Sequence, residues 1–200
     1  MNGFELIVGE GLLDACAARR VLHSLGVQID PARCLDKGGK VGFWRDAKKY
    51  ENMSRNDGLV FALTDLDLAP CASGLIQGKL GHTPFHRFIL RIAAQQLESW
   101  LLADAPRIAR YLQVPNNTVP RNPDGIQNPK QALVNVARGS RSRDIRSDMV
   151  PEAGMSAVVG KNYTRQMERF IERHWQPLDA AAESPSLTRA IAAVKRVTGP

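Results

Sequence analysis

The segment Leu59-Val60-Phe61-Ala62-Leu63-Thr64 carries no charge and is apolar at every position but the last. A strand with one wet face alternates apolar and polar residues. A run without alternation predicts a strand covered on both sides, as in a parallel sheet. Parallel neighbours need long crossovers, usually helices, and the surrounding chain supplies them. Phe4 to Val8 reads as a shorter strand stopped by Gly9. Leu12 to Leu25 follows as a helix with Leu13, Ala17, Val21, Leu22 and Leu25 at helical spacing, and Gly26 ends it. Val27 to Leu35 looks extended, with Pro31 confining it to an edge or an interrupted strand. Phe43 to Met53 has the pattern of a short amphipathic helix, and Asn56-Asp57-Gly58 that of a turn. His86 to Ile92 is a further strand candidate. Ala93 to Tyr111 reads as one long helix, with Ala94, Leu97, Leu101 and Ile108 on a stripe and Trp100 in the core beside it. Strands separated by helix-length segments predict an α/β fold with a mostly parallel sheet flanked by helices. Later signals are helical. Asn128 caps and Pro129 opens one helix, Lys161 to Trp175 is amphipathic, and Ser184-Pro185 begins the last. The expected organisation is an α/β core over 1–112 and a helical extension over 113–200 packed on it.

An apolar share of 44% in 200 residues is enough for a sizeable core. The formal charge of +7 favours partners that carry phosphate. Cys16, Cys34 and Cys71 are scattered, which argues against a disulfide framework and for a reducing compartment. No leader-like or membrane-length apolar run is visible, so the cytoplasm is the expected location and no membrane partner is expected.

Ligands of parallel α/β sheets bind at the carboxyl ends of the strands. Two such ends carry acids: Glu10 lies between Gly9 and Gly11, and Asp65-Leu66-Asp67 follows the apolar strand. If the strand stays extended, Asp65 and Asp67 point the same way. Two carboxylates held close are costly without a cation between them. Mg²⁺, or Mn²⁺, takes oxygen ligands and is usually held by one or two carboxylates plus substrate phosphate. Glu10 is then a further ligand or a general acid/base. An Asp-x-Asp after a strand is also an ordinary solvated turn.

The stretch Gly9-Glu10-Gly11-Leu12-Leu13-Asp14, ending in Leu22, resembles the first motif of Toprim domains, and Leu63-Thr64-Asp65-Leu66-Asp67 resembles the second. Gly9 stands where that pattern has an apolar residue, which predicts a looser strand end. Toprim domains are Rossmann-like and occur in topoisomerases, primases and overcoming-lysogenization-defect nucleases. Two hundred residues are too few for a topoisomerase, and no nucleophilic-tyrosine module is evident. A narrower resemblance spans most of the chain. Ile92-Ala93 with Leu97-Glu98-Ser99-Trp100-Leu101-Leu102-Ala103-Asp104, then Asn128-Pro129-Lys130 and Ser184-Pro185-Ser186-Leu187, are similar to signatures of a small prokaryotic Toprim-like family. Its members commonly neighbour an AAA/ABC-type ATPase in contexts suggestive of phage defence. The resemblance implies a metal-dependent nuclease acting on DNA or RNA, with Glu10, Asp65 and Asp67 catalytic. The alternative is a non-catalytic subunit on the same scaffold that binds an ATPase or nucleic acid.

Glu98 borders the buried stripe of its helix, where a carboxylate is expensive unless paired or metal-bound. It is a fourth candidate metal ligand, or the partner of a base such as Arg91. Asp104 is a candidate cap for the turn at Pro106. Lys37-Gly38-Gly39-Lys40 is a loop able to approach a phosphate, or an ordinary flexible turn. Lys130 would face the acids or a phosphate. Arg138, Arg141, Arg143 and Arg146, among Gly139, Ser140 and Ser142, look like a mobile phosphate-contacting loop or a solvated basic face. His82 and His86 are interrupted by Pro84, which opposes a zinc-binding helix, and Cys71 and Ser73 lack triad partners. No phosphate-binding glycine motif follows the first strand, which disfavours a generic nucleotide-binding protein.

Overall fold

A computed structural model describes residues 4–55 and 58–199. The turn expected at Asn56-Asp57-Gly58 lies largely outside them. Among the described residues four strands form one sheet: β1 (Phe4–Gly9), β2 (Cys34–Asp36), β3 (Leu59–Asp65) and β4 (Phe88–Ala93). Their order is β2-β1-β3-β4, and every pairing is parallel. β3 is buried from Leu59 to Thr64, as a strand without alternation requires. The extended segment ahead of β2 contracts to three residues on the sheet edge, because Pro31 opens a single helical turn over Pro31–Arg33.

Side-chain alternation divides the apolar residues between two layers. Leu6, Val8, Val60, Ala62, Phe88 and Leu90 face α2 (Lys40–Arg55) and α3 (Ala72–Leu80). Ile7, Phe61, Leu63 and Ile89 face α1 (Leu12–Ser24) and the later helices. These are α4 (Glu98–Leu102), α5 (Ala105–Leu112), α6 (Pro129–Arg138), α7 (Arg143–Met149), α8 (Tyr163–Arg173), α9 (Pro177–Ala180) and α10 (Pro185–Thr198). One apolar cluster runs without interruption from Phe4 to Val194, so residues beyond 112 share a core with the sheet.

The long helix expected over Ala93 to Tyr111 is not formed. Ala93 completes β4, Gln95 turns through a positive φ of 57°, and α4 is separated from α5 at Ala103 and Asp104. Pro106 cannot donate to a preceding carbonyl and disfavours helical backbone before it. All five residues of α4 are buried, so its apolar positions mark a core segment rather than a helix stripe. Asp104 sits at the start of α5 without capping it. Its carboxylate accepts instead from the Gln176 amide at 3.0 Å and from Arg107 at 3.1 Å.

Gly9 is in the ladder, opposite Leu63 on one side and Asp36 on the other. A Cβ there would lie 2.4 Å from the Ala15 nitrogen. The strand end is therefore tight rather than loose, and the close approach of α1 is what requires glycine. Among the described residues no helix is long and apolar enough to cross a membrane.

Candidate acidic active site

From β1 the chain moves outward to β2, while β3 lies on the other flank of β1. The carboxyl ends of β1 and β3 thus form the point where connections diverge, which opens a crevice in sheets of this kind. Glu10 and Asp65 occupy that point. The Glu10 amide donates to the Leu63 carbonyl at 3.0 Å, and its carbonyl accepts from Gly39 at 2.8 Å. These bonds fix the turn between β1 and α1 against β3 and the loop that follows β2. The Glu10 carboxylate accepts the Thr64 hydroxyl, and the Asp65 amide lies 3.5 Å from the same oxygen.

A cleft of about 230 Å³ opens there, lined by Glu10, Asp14, Asp65, Glu98, Lys130 and Thr164 among others. Four carboxyls face one ammonium. Glu98 is 2% exposed. One of its oxygens accepts the Tyr163 hydroxyl at 2.9 Å and lies 3.6 Å from Lys130 Nζ; the other, Oε2, has no partner among the described residues. Asp14 accepts the Gly11 amide at 2.8 Å through Oδ2, and its Oδ1 is also unpartnered. Asp65 Oδ1 accepts the Leu97 amide at 2.7 Å.

The electrostatics follow from crowding in a poorly solvated place. The Asp65 carboxyl is pushed up to about 9 by burial and by the charges of Asp14, Glu98, Glu10 and Asp67. Asp14 is pushed up to about 7, chiefly by burial, with Glu10 and Glu98 adding to the rise. Burial works against the Lys130 ammonium, yet Glu98, Asp65 and Asp14 more than offset it and hold its pKa above the ordinary value. Tyr163 is driven well up by burial and by Glu98.

Asp67 does not join the cleft. β3 ends at Asp65, and Asp67 adopts a left-handed φ of 51°, so the side chains of the pair diverge. The Asp67 carboxylate pairs with Lys40, whose ammonium also reaches the Asp65 carbonyl at 3.0 Å. Lys40 therefore braces the strand end. Lys37 turns to α2, 2.6 Å from Asp46 and 3.0 Å from the Tyr50 hydroxyl. Lys130 is brought in by α6, which Asn128 caps through the Gln131 amide at 3.0 Å. Arg138 lies at the far end of α6, about 12 Å from Lys130 along the axis. Arg141 and Arg143 are exposed beyond the end of α6, and none of the three lines the cleft. The connection there is a hydrogen-bonded helix junction: the Arg141 backbone amide donates to the Gln113 carbonyl at 3.2 Å, and Ser142 caps α7. Glu98 pairs with Lys130 and Tyr163, not with Arg91. Asp14 and Tyr163 are the contributors that spacing does not single out. Asp14 follows Glu10 by one helical turn, while Tyr163 is far off in the chain and carries no local signal.

Among the described residues no three acidic, histidine or cysteine side chains stand ready-placed around one point as a metal cage. Their chemistry nevertheless suits a hard cation. The donors are all oxygens, two buried carboxylate oxygens lack any partner, and the carboxyls repel one another. Fold and site together define a parallel three-layer α/β protein with an acidic cleft at its switch point. Comparison with protein-family models, curated proteins and solved structures returns no match.

Proposed function

We propose that the chain is a Toprim-like, Mg²⁺-dependent nuclease that hydrolyses phosphodiesters of DNA or RNA, working with an AAA/ABC-type ATPase in phage defence. The observation that carries the nuclease reading is the convergence of Glu10, Asp65 and Glu98 on one cleft at adjacent strand ends, with a single lysine among them. The ATPase partnership and the defence setting rest on the motif resemblance over Leu97 to Asp104 and Asn128 to Lys130. Glu10, Asp65 and Glu98 would hold Mg²⁺ or Mn²⁺, with Asp14 beside them. When bound, the ion supplies charge stabilisation at the phosphorus and lowers the pKa of water.

The chain's own residues do the rest. Lys130 presents a positive charge to a phosphate oxygen and steadies Glu98. Tyr163 fixes the Glu98 rotamer by donating to it. Glu10 is the half-exposed acid, oriented by the Thr64 hydroxyl, and is placed to take a proton from attacking water. Lys40 and Asp67 hold the end of β3.

Purified protein, alone or with the ATPase, should cut labelled DNA or RNA when Mg²⁺ or Mn²⁺ is added. Glu10→Ala and Asp65→Ala should each abolish cutting. Cutting that survives both substitutions sinks the assignment. The second reading, a non-catalytic subunit binding an ATPase or nucleic acid, draws on Asp65 Oδ1 being taken up by the Leu97 amide. It predicts no metal binding by calorimetry.

A further inference from the structure

β4 is the outer strand of the sheet, and Arg91 is its one charged residue. In register it stands opposite Leu63, two positions before the Ala93–Asp65 pair at the acidic cleft. Alternation sends its side chain to the same layer as Ile89, under α10, which packs on β4. Arg91 is half-buried, and its Nε is shielded from solvent without a hydrogen-bond partner among the described residues. The charges that act on it are of its own sign. Arg189 and Arg196 lie two turns apart on one side of α10, both exposed, and both act on Arg91. Burial together with these two arginines depresses the Arg91 pKa. Among the described residues none of the three forms an ion pair.

Among the described residues no acid pairs with these three guanidiniums, and the buried Arg91 Nε donor, left unpaired, costs stability that a bound anion would recover. We infer that Arg91, Arg189 and Arg196 form a phosphate-binding track on the β4 edge that leads a polynucleotide backbone toward the cleft at Asp65. Guanidinium forks match phosphate oxygens with paired hydrogen bonds. The site lies on different elements from the exposed Arg138, Arg141 and Arg143. The inference rests on the nucleic-acid reading of the cleft, and its test does not depend on catalysis.

The experiment is anisotropy of fluorescent single-stranded DNA and RNA oligonucleotides, titrated with full-length protein in EDTA over a range of salt. The charge-reversing pair Arg189→Glu/Arg196→Glu should weaken binding at least about tenfold. It should also flatten the dependence of log affinity on log salt by roughly 0.7 per lost phosphate contact. Arg138→Glu/Arg141→Glu is the comparison for nonspecific charge. Binding and salt slope equal to the parent's in the α10 pair, or a loss no greater than in the comparison pair, overturns the track. Arg91→Met should leave the unfolding midpoint unchanged or raised without oligonucleotide, because it removes an unpaired buried charge. A lowered midpoint shows a structural partner for Arg91 and also overturns the proposal. A protein that binds through these arginines but cuts nothing with Mg²⁺ defeats only the nuclease reading. A protein that cuts while the α10 pair binds normally defeats only the track.

Discussion

Gly9 shows how one residue sets the site. It has no room for a methyl group, because α1 must start close enough to β1 for Glu10 to reach Thr64. Gly9→Ala should cost several kcal/mol, on the order of 2–4, since the clash is with backbone that cannot yield. Gly78, inside α3 with open space around it, is the contrast. Gly78→Ala should stabilise by roughly 0.5–1 kcal/mol. Chemical denaturation of the two variants checks both signs. The acids give a second prediction. Asp14 and Asp65 hold protons to about 7 and about 9 in the folded protein, against roughly 3.9 in an unfolded chain. Between those limits the folded state binds more protons than the unfolded one, so stability falls as pH rises. Metal-free protein should lose thermal stability from about pH 5 to pH 9, and Asp65→Asn or Asp14→Asn should flatten that decline. A rising profile contradicts the burial of these groups. At this scale Glu10 and Asp65 were legible as acids at strand ends. Asp67 was not, because its departure depends on a left-handed turn that an Asp-x-Asp pattern does not announce.

Among the elements, β1, α1, β3 and β4 follow their apolar patterns to within a residue or two, because α1 buries one stripe and the strands are covered on both faces. The segment Ala93 to Tyr111 fails for the opposite reason. Its apolar positions face several directions, and Pro106 breaks the backbone between α4 and α5. Asp104 is the joint there, tying Arg107 and the start of α9 together. Asp104→Ala should destabilise by about 1–3 kcal/mol through the orphaned Gln176 amide, whereas Asp104→Asn retains an acceptor and should recover part of it. Urea unfolding of the pair distinguishes lost hydrogen bonding from lost charge. The α6 cap was legible in Asn128-Pro129, and so was the last helix in Ser184-Pro185. Their destinations were not: Lys130 reaches Glu98, and Ser184 and the Ser186 amide reach Asp124, through contacts distant in sequence.

For the whole molecule, two buried tryptophans join what the sequence divides into core and extension. Trp100 donates to the Ser186 hydroxyl at 2.7 Å, and Trp175 donates to the Trp100 carbonyl at 3.2 Å. Both are fully buried in the cluster that includes the sheet. Trp175→Ala should therefore cost about 3–5 kcal/mol, and fluorescence and circular dichroism should report one shared unfolding transition in the parent protein. Two separated transitions would show that the halves fold independently. The same continuity puts Tyr163 and Lys130, from the helical half, into a cleft whose acids come from the sheet half.

Divalent-cation binding in this cleft can be seen by diffraction from crystals soaked in Mn²⁺, with anomalous maps at the manganese edge. A peak is expected between Glu10, Asp65 and Glu98, at oxygen distances of roughly 2.0–2.2 Å, with Asp65 drawn from the Leu97 amide. A map with no peak in the cleft, or with manganese held elsewhere while Asp65 keeps its bond to Leu97, would contradict cation binding there.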